Sequence, residues 1–217
     1  MTKAELKNYH KSVIGSDLTN TSKMPSYSFN LSALDCKTGS KLVDIKNSVC
    51  NGCYALKGNY LRYKHITKLQ PKTQKIFNPG WVESMVYLIK NQDNKKDRKY
   101  FRWHDSGDIQ NIEHFKKIVD VCKKTPGVMH WIPTREYKIV RSYIVNFGKL
   151  PKNMVIRLSA HMIDKKPPKV NNLPTSTVNK TKPAIGFQCP SYKNNGICGD
   201  CRSCWDPSIK NISYKYH

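Results

Sequence analysis

The chain has 217 residues, of which 38% are hydrophobic, and it carries a formal net charge of +23. This length and apolar content suit one domain with a hydrophobic core. The sequence contains no apolar run of about eighteen residues, so no transmembrane helix is predicted. The polar start lacks the apolar segment of a signal peptide. We therefore expect a cytoplasmic protein without a membrane partner, in a compartment where disulfides are rare.

The positive charge permits two interpretations. A field of this sign attracts the phosphates of DNA or RNA. The lysines are spread along the chain rather than gathered in a tail or an arginine-rich helix, and scattered lysines are equally typical of a solvated surface. The sequence leaves both interpretations open and indicates no particular protein partner.

In chain order, the predicted elements start with a polar N-terminal arm over residues 1–24. Alternating apolar residues predict a first strand over 27–34. A helix is predicted over about 54–70, and the spacing of apolar residues predicts another helix within 79–89.

From residue 99 onward, predicted strands recur at intervals of about 26 to 30 residues, which is the length of a βα unit. These strands cover 99–103, 128–132, 154–158 and 184–187. Helices are predicted at 112–122 and at about 136–146. The proline-containing segment 164–182 is predicted to be an irregular loop.

Strands that alternate with helices predict an α/β fold with a parallel sheet. The strands are too few for a closed eight-unit barrel, so we expect a partial (β/α) barrel-like sheet, with an open doubly wound sheet as the alternative. This domain would cover residues 25–188. Residues 189–217 would form a cysteine-rich C-terminal metal-binding loop.

Seven of the eight cysteines fall into two groups. One has the spacing C-x13-C-x2-C and consists of Cys36, Cys50 and Cys53. The other has the spacing C-x8-C-x2-C-x2-C and consists of Cys189, Cys198, Cys201 and Cys204. Thiols this dense in a cytoplasmic chain are typical of metal ligands rather than disulfides. The closely spaced C-terminal cysteines resemble a ferredoxin-type loop and favour a [4Fe–4S] cluster, with zinc as the alternative.

The group of three cysteines would leave one coordination position of its metal open. An open position is what a catalytic metal or a substrate-binding cluster requires. A fourth ligand from Asp35, His65 or His104 would instead make the site structural. A composite site with all seven cysteines is a further alternative, so the sequence predicts one or two clusters.

Polar residues follow several predicted strands, at the edge where ligands bind in parallel sheets. The candidates for catalysis are His104, Asp105 and Arg135, and those for cofactor binding are Ser106, Asp108, Ser159 and His161. His104 would act as a general acid or base. Two structural alternatives remain: Asp108 would cap the following helix, and Arg135 would pair with Glu136 or Asp105 instead of holding an anion.

Four motifs resemble those of the phage "gene product 88" family. They are Cys50-x2-Cys53-Tyr54-Ala55, Phe101-Arg-Trp-His-Asp-Ser-Gly-Asp108, Trp131-x2-Thr-Arg135 and Cys198-x2-Cys201-x2-Cys204. The resemblance covers about residues 30–205 and implies a phage-encoded protein that acts in a host cell.

The first of these motifs is also similar to that of phage proteins that resemble radical S-adenosylmethionine enzymes. This similarity implies a partial (β/α) barrel in which Cys36, Cys50 and Cys53 hold a [4Fe–4S] cluster. The free iron of that cluster would bind S-adenosylmethionine, and the four C-terminal cysteines would hold an auxiliary cluster.

Overall fold

The computed structural model describes residues 1–57, 62 and 72–216. Within them, seven strands form one sheet: β1 (Tyr27–Phe29), β2 (Tyr100–Trp103), β3 (Met129–Thr134), β4 (Met154–Ser159), β5 (Thr175–Asn179), β6 (Phe187–Gln188) and β7 (Asn211–Lys215). Their spatial order is β1-β2-β3-β4-β5-β7-β6, and every neighbouring pair is parallel. The first five strands follow one another in chain order, so the sheet does not reverse near its middle as a doubly wound sheet does.

Five α-helices lie in the described ranges: α1 (Lys3–Ile14), α2 (Lys37–Leu42), α3 (Trp81–Lys90), α4 (Ile112–Lys124) and α5 (Tyr137–Phe147). Apolar side chains of α3, α4 and α5 join those of the central strands in one buried cluster. None of these helices is long and apolar enough to cross a membrane.

The two faces of the sheet are covered by different parts of the chain. Successive side chains of a strand alternate between the faces. Phe101 and Ile132 lie on the face that the helices cover, which we call the helix face. Arg102, Trp131 and Arg157 follow the opposite parity in the same register and lie on the other face.

The cysteine-rich C-terminal segment covers that other face, which we call the loop face. Trp205 packs edge-to-face on Trp131 with ring centroids 5.2 Å apart. Its indole N–H donates to the carbonyl of Phe101 at 2.9 Å, and the side chain is only 3% exposed. A buried indole of this kind anchors its loop through both apolar area and a satisfied donor.

The predicted mixed α/β architecture with a parallel sheet is confirmed. The strands predicted at 99–103, 128–132 and 154–158 correspond to β2, β3 and β4, and the helices predicted at 112–122 and 136–146 correspond to α4 and α5. The central strands are largely buried. Their continuous apolar runs are what parallel strands covered on both faces require.

Two strands were not predicted. β5 lies inside the segment 164–182, so the prediction of an irregular loop there is wrong. Its β-branched residues Thr175, Thr177 and Val178 favour a strand, but the prolines that precede them suggested a loop. β7 pairs with both β5 and β6, so the segment 189–217 contributes an interior strand of the sheet.

The N-terminal segment 1–24 also differs from a loosely attached arm. It contains α1, whose capping box joins Thr2 and Glu5. Ile14 is fully buried in the core, and the ring of His10 stacks on Tyr87 of α3 with centroids 4.1 Å apart. A few apolar residues in a polar segment are enough to dock this helix. The helix predicted over 54–70 falls mostly outside the described residues; its start forms a 3₁₀ turn, Tyr54–Leu56.

A tight turn after β2 is fastened to the end of β1. The amide of Leu31 donates to the carbonyl of Ser106 at 3.1 Å, and the amide of His104 donates to Phe29 at 2.9 Å. Gly107 has a φ of +79°, and a Cβ there would lie 2.6 Å from Leu31 Cβ and 2.8 Å from its carbonyl oxygen. Glycine is therefore required by both the backbone conformation and the close approach.

We predict that Gly107→Ala destabilises the protein by about 2 kcal/mol or more, because the added methyl group meets backbone atoms at a left-handed position. The matched control is Gly127→Ala, since a Cβ at Gly127 meets no atom within 4 Å. Chemical denaturation of both variants measures the difference. Equal stability of the two variants would show that the turn does not have the described packing.

Candidate functional site

The first site consists of Cys36, Cys50 and Cys53, which we call the edge group. Cys36 follows the 3₁₀ turn Ala33–Asp35 just beyond β1. A Cβ placed on Gly39 would lie 2.9 Å from Cys36 Cβ, 3.7 Å from Cys36 Sγ and 3.8 Å from Cys50 Sγ. The bare backbone of Gly39 therefore lets both sulfurs approach the same place. The amide of Cys53 donates to the carbonyl of Cys50 at 3.0 Å, which closes the turn between them.

The edge group lies at the carboxyl ends of neighbouring strands. The amide of Val49 donates to the carbonyl of His161, just beyond β4, at 2.8 Å. The hydroxyl of Tyr54 donates to the carbonyl of Asp105, just beyond β2. These contacts fasten the loop that carries Cys50 and Cys53 to the ends of β2 and β4.

Burial first, and then the proximity of Asp108, Cys53 and Cys50, raises the pKa of the Cys36 thiol to about 12, while Arg135 lowers it. Burial also raises the pKa of Cys50, and Arg135 again opposes the shift. The three thiols are therefore close enough to repel one another as thiolates. A metal that displaces their protons would remove this penalty.

Asp108 ties the end of β2 to the end of β3. Its Oδ1 accepts hydrogen bonds from the Thr134 hydroxyl at 2.6 Å and the Ile109 amide at 2.7 Å, and its Oδ2 accepts from the Arg135 amide at 3.0 Å. Burial raises the pKa of Asp108 to about 6, although these hydrogen bonds act in the opposite direction. The carboxylate is thus committed to positioning the strand ends.

The prediction that Asp108 caps the next helix is wrong. Asn111 is the N-cap of α4, and its side chain accepts a hydrogen bond from the His114 amide at 2.9 Å. Asn and Asp have similar N-cap preferences, so sequence alone does not decide which of Asp108 and Asn111 caps α4. The carboxylate of Asp108 is instead bonded to Thr134 and Arg135.

Arg135 is half-buried beside the edge group. Its Nε is buried and has no hydrogen-bond partner. No carboxylate of the described residues lies within ion-pair distance of it. The pairing with Glu136 or Asp105 that the sequence left open is therefore not formed, and the positive charge faces Cys36 and Cys50.

His104 lies in the interior rather than in an open cleft. Its ring is 3% exposed and neighbours the rings of Trp103 and His114, with centroids 6.1 and 5.3 Å away. Burial lowers its pKa to about 3, and neither ring nitrogen has a hydrogen-bond partner. Burial also raises the pKa of Asp105, whose Oδ1 is buried and unpartnered. Burial at the end of β2 therefore disfavours the charged forms of both side chains.

The predicted cofactor-binding residues have different surroundings. The Ser106 hydroxyl donates to a carbonyl just beyond β1 at 2.9 Å, and the Ser159 hydroxyl accepts from Ser176 at 3.1 Å. The ring of His161 stacks on Tyr137 with centroids 4.8 Å apart, and its Nε2 has no partner. Burial lowers the pKa of His161.

The second site, the loop group, consists of Cys189, Cys198, Cys201 and Cys204. Cys204 Sγ lies 3.3 Å from the hydroxyl of Tyr214 in β7, and Cys198 Sγ lies 3.8 Å from the sulfur of Met24. Burial raises the pKa of Cys204 to about 12, Tyr214 and Arg157 lower it, and Cys189 and Cys198 raise it. The four thiols thus share one environment on the loop face.

Arg157 of β4 holds the segment that carries the loop group. Its side chain is fully buried. The guanidinium donates to the backbone carbonyls of Ser203, Cys204, Asp206 and Ile209 at 2.6 to 3.0 Å. Sequence reasoning missed this residue. A lone cation within the apolar run Met154–Ser159 was the available signal, since a buried charge needs partners.

All eight cysteines are free thiols. In the part of the chain that the structure describes, no three His, Cys, Asp or Glu side chains are grouped so as to hold a metal ion. The two sites are thus sets of neighbouring free thiols, one at the sheet edge and one on the loop face.

A family model described as Gene product 88 matches residues 2–207. The chain belongs to the Gene product 88 family. No curated protein and no solved structure matches it. These comparisons confirm the resemblance to this phage family and do not support the resemblance to radical S-adenosylmethionine enzymes. The match includes both thiol groups of this Gene product 88 protein.

We predict that Arg157→Met destabilises this Gene product 88 protein by about 3 kcal/mol, because four backbone carbonyls lose the buried guanidinium that donates to them. Amide hydrogen exchange should accelerate over residues 203–209. Arg141→Met on the exposed side of α5 is the control, since it removes an arginine that is exposed to solvent. A similar free energy of unfolding for the two variants would contradict the role given to Arg157.

Proposed function

We propose that this protein is an iron–sulfur protein of phage origin whose two thiol groups hold [4Fe–4S] clusters. Such clusters are ligated by cysteine thiolates, and the chain supplies them in groups of three and four. The loop group would complete a four-thiolate cluster. The edge group would hold a cluster with one iron open to a ligand. The C-x2-C-x2-C spacing favours iron–sulfur over zinc.

The observation that carries the proposal is the burial of Arg157 beside four free thiols. A buried cation is costly unless hydrogen bonds and an anion offset its desolvation. Four thiolates around a cluster core of about +2 have a net charge of about −2. No described carboxylate lies within ion-pair distance of Arg157, although Asp206 acts on it from farther away. Bound in the loop group, such a centre would supply a further anionic partner.

An open iron in the edge group would supply a redox-active position that binds a ligand directly. The residues around this iron would have different roles. Arg135 provides positive charge, and His161 presents an unpartnered ring nitrogen. Asp108 keeps the ends of β2 and β3 together. His104 and Asp105 would contribute neutral polar lining rather than charge.

More specifically, we propose that this iron–sulfur protein is a radical S-adenosylmethionine-like enzyme, or a redox protein, whose substrate is unknown. S-adenosylmethionine is the proposed ligand of the edge group, and the host cytoplasm is the proposed location. The strands that follow one another in chain order suit the partial barrel of that proposal. The chain departs from the usual C-x3-C-x2-C loop, because thirteen residues separate Cys36 from Cys50.

We predict that anaerobically purified protein contains about eight irons and as many sulfides per chain, with broad visible absorption. Cys201→Ser should lose the cluster of the loop group, which is about half of the total iron. Cys53→Ser should lose the cluster of the edge group, which is the other half. Cys122→Ala is the matched control, because this buried thiol belongs to neither group. Its iron content should equal that of the wild type.

The reduced Cys201→Ser variant isolates the edge cluster for electron paramagnetic resonance. A changed spectrum on addition of S-adenosylmethionine supports that ligand, and an unchanged spectrum removes it from the proposal. Stoichiometric zinc without sulfide in the wild type would contradict the iron–sulfur function as a whole.

The second candidate function is a zinc- or cluster-stabilised protein that binds DNA or RNA. The net charge of +23 favours it, since only six ion pairs neutralise lysines and arginines in the described ranges. We predict that the protein binds a short DNA or RNA duplex or single strand. The logarithm of the binding constant should fall about linearly with the logarithm of the salt concentration. Binding that is absent at low salt, or that salt does not weaken, would exclude this function.

A further inference from the structure

The guanidinium of Arg135 is a cation beside the edge group, and it forms no ion pair with a carboxylate of the described residues. Its charge acts on the thiols of Cys36 and Cys50. Its Nε is buried without a hydrogen-bond acceptor. A buried donor without an acceptor is unfavourable, and the planar guanidinium fork suits carboxylate and phosphate oxygens.

The nearby carboxylates are used elsewhere. Asp108 accepts three hydrogen bonds from Ile109, Thr134 and the amide of Arg135. Glu136 accepts the amide of Thr38 at 2.8 Å. Neither carboxylate lies within ion-pair distance of the Arg135 guanidinium. Asp108 opposes an incoming anion by its charge, and burial raises its pKa to about 6.

A second unpartnered group lies next to Arg135. The ring of His161 interacts with the backbone of Arg135, and its Nε2 is buried without a partner. The edge group itself is reachable from solvent, since Cys53 and Arg135 are half-buried and Tyr54 is 58% exposed. Arg135 and the neighbouring His161 thus each have a polar atom without a partner among the described residues, and Arg135 links this pair to the thiols of Cys36 and Cys50.

Two arginines near the loop group have protein acceptors for part of the guanidinium, although the Nε of Arg202 is buried without a partner among the described residues. Arg157 has four carbonyl acceptors, and Arg202 pairs with Asp97 at 3.5 Å. Arg102, whose charge acts on Cys198, also has a buried Nε without a partner among the described residues, so an unpaired guanidinium alone does not distinguish the edge group.

We propose that the edge group binds a ligand through an anionic oxygen group, a carboxylate or a phosphate, which pairs with the guanidinium of Arg135 and approaches His161. The inference deepens the proposed function by naming the ligand class of the open position. It does not require the cluster, because Arg135 and His161 have the same surroundings in the free thiol form.

The test uses two alkylating reagents on the reduced, metal-free full chain. Iodoacetate carries a carboxylate and iodoacetamide is its neutral counterpart, so the ratio of their rates at one thiol cancels the thiolate fraction of that thiol. Mass spectrometry resolves the rates at the edge group and at the loop group. The loop group is an internal reference for the overall positive field of the protein.

We expect Arg135→Gln to lower the iodoacetate-to-iodoacetamide ratio at Cys53 about threefold, the size of a partly exposed charge interaction. The ratio at Cys201 should not change. Arg141→Gln is the matched control, because it removes an equal charge from the exposed side of α5. An unchanged ratio at Cys53, or an equal fall in both variants, overturns the proposal.

A wild-type measurement covers the case in which Arg135→Gln does not fold. Phosphate and acetate, each compared with chloride at equal ionic strength, should slow iodoacetate at Cys53 and leave Cys201 unaffected. Protection by phosphate alone identifies a phosphate ligand, and protection by acetate identifies a carboxylate. Protection by neither overturns the proposal. The alkylation rates are measured on the metal-free chain, so they do not depend on whether the purified protein contains iron. Failure of this proposal and failure of the iron–sulfur function are therefore distinguishable.

Discussion

A buried guanidinium organises the loop face of this protein. Arg157 extends from β4 into the interior and donates to four carbonyls between Ser203 and Ile209. A charge in this position is tolerated only because the C-terminal segment folds around it. The same contacts set the backbone on both sides of Cys204, so the requirement to solvate Arg157 also places the loop group. β7 then returns the chain to the sheet, with Tyr214 against the same thiol.

The edge group depends on a different constraint, which is the common edge at which parallel strands end. Asp108 links the ends of β2 and β3, and the loop before Cys50 is bonded to the residue that follows β4. These contacts bring three thiols, an arginine and a histidine to one side of the sheet.

The regular part of the fold was predictable from sequence. The strand and helix pattern from residue 99 to 158 follows apolar periodicity, which depends on local spacing and burial. β5 and β7 were not predicted, because β5 directly follows Pro174 and the short β7 follows the cysteine-rich loop, so both carry weak local signals. The placement of the cysteines at strand ends could be inferred, but Arg157 could not be assigned. Its role depends on a loop about fifty residues further along the chain, and no local pattern encodes such a contact.

The same limit applies to single side chains of the site. Sequence spacing suggested His104 as an acid–base group, yet the fold turns its ring among Trp103 and His114 and keeps it neutral. His161 carried a weaker sequence signal and lies beside Arg135 and the loop of Cys50. His104 has a left-handed φ of +58°, a tertiary feature that residue type alone does not reveal.

The central claim is that the loop group and the edge group bind iron–sulfur clusters. X-ray absorption at the iron and zinc edges of anaerobically purified protein tests it most directly. The account predicts iron with sulfur neighbours and iron–iron scattering, as in a multinuclear cluster. Zinc bound by four sulfurs, with no iron signal, would contradict it.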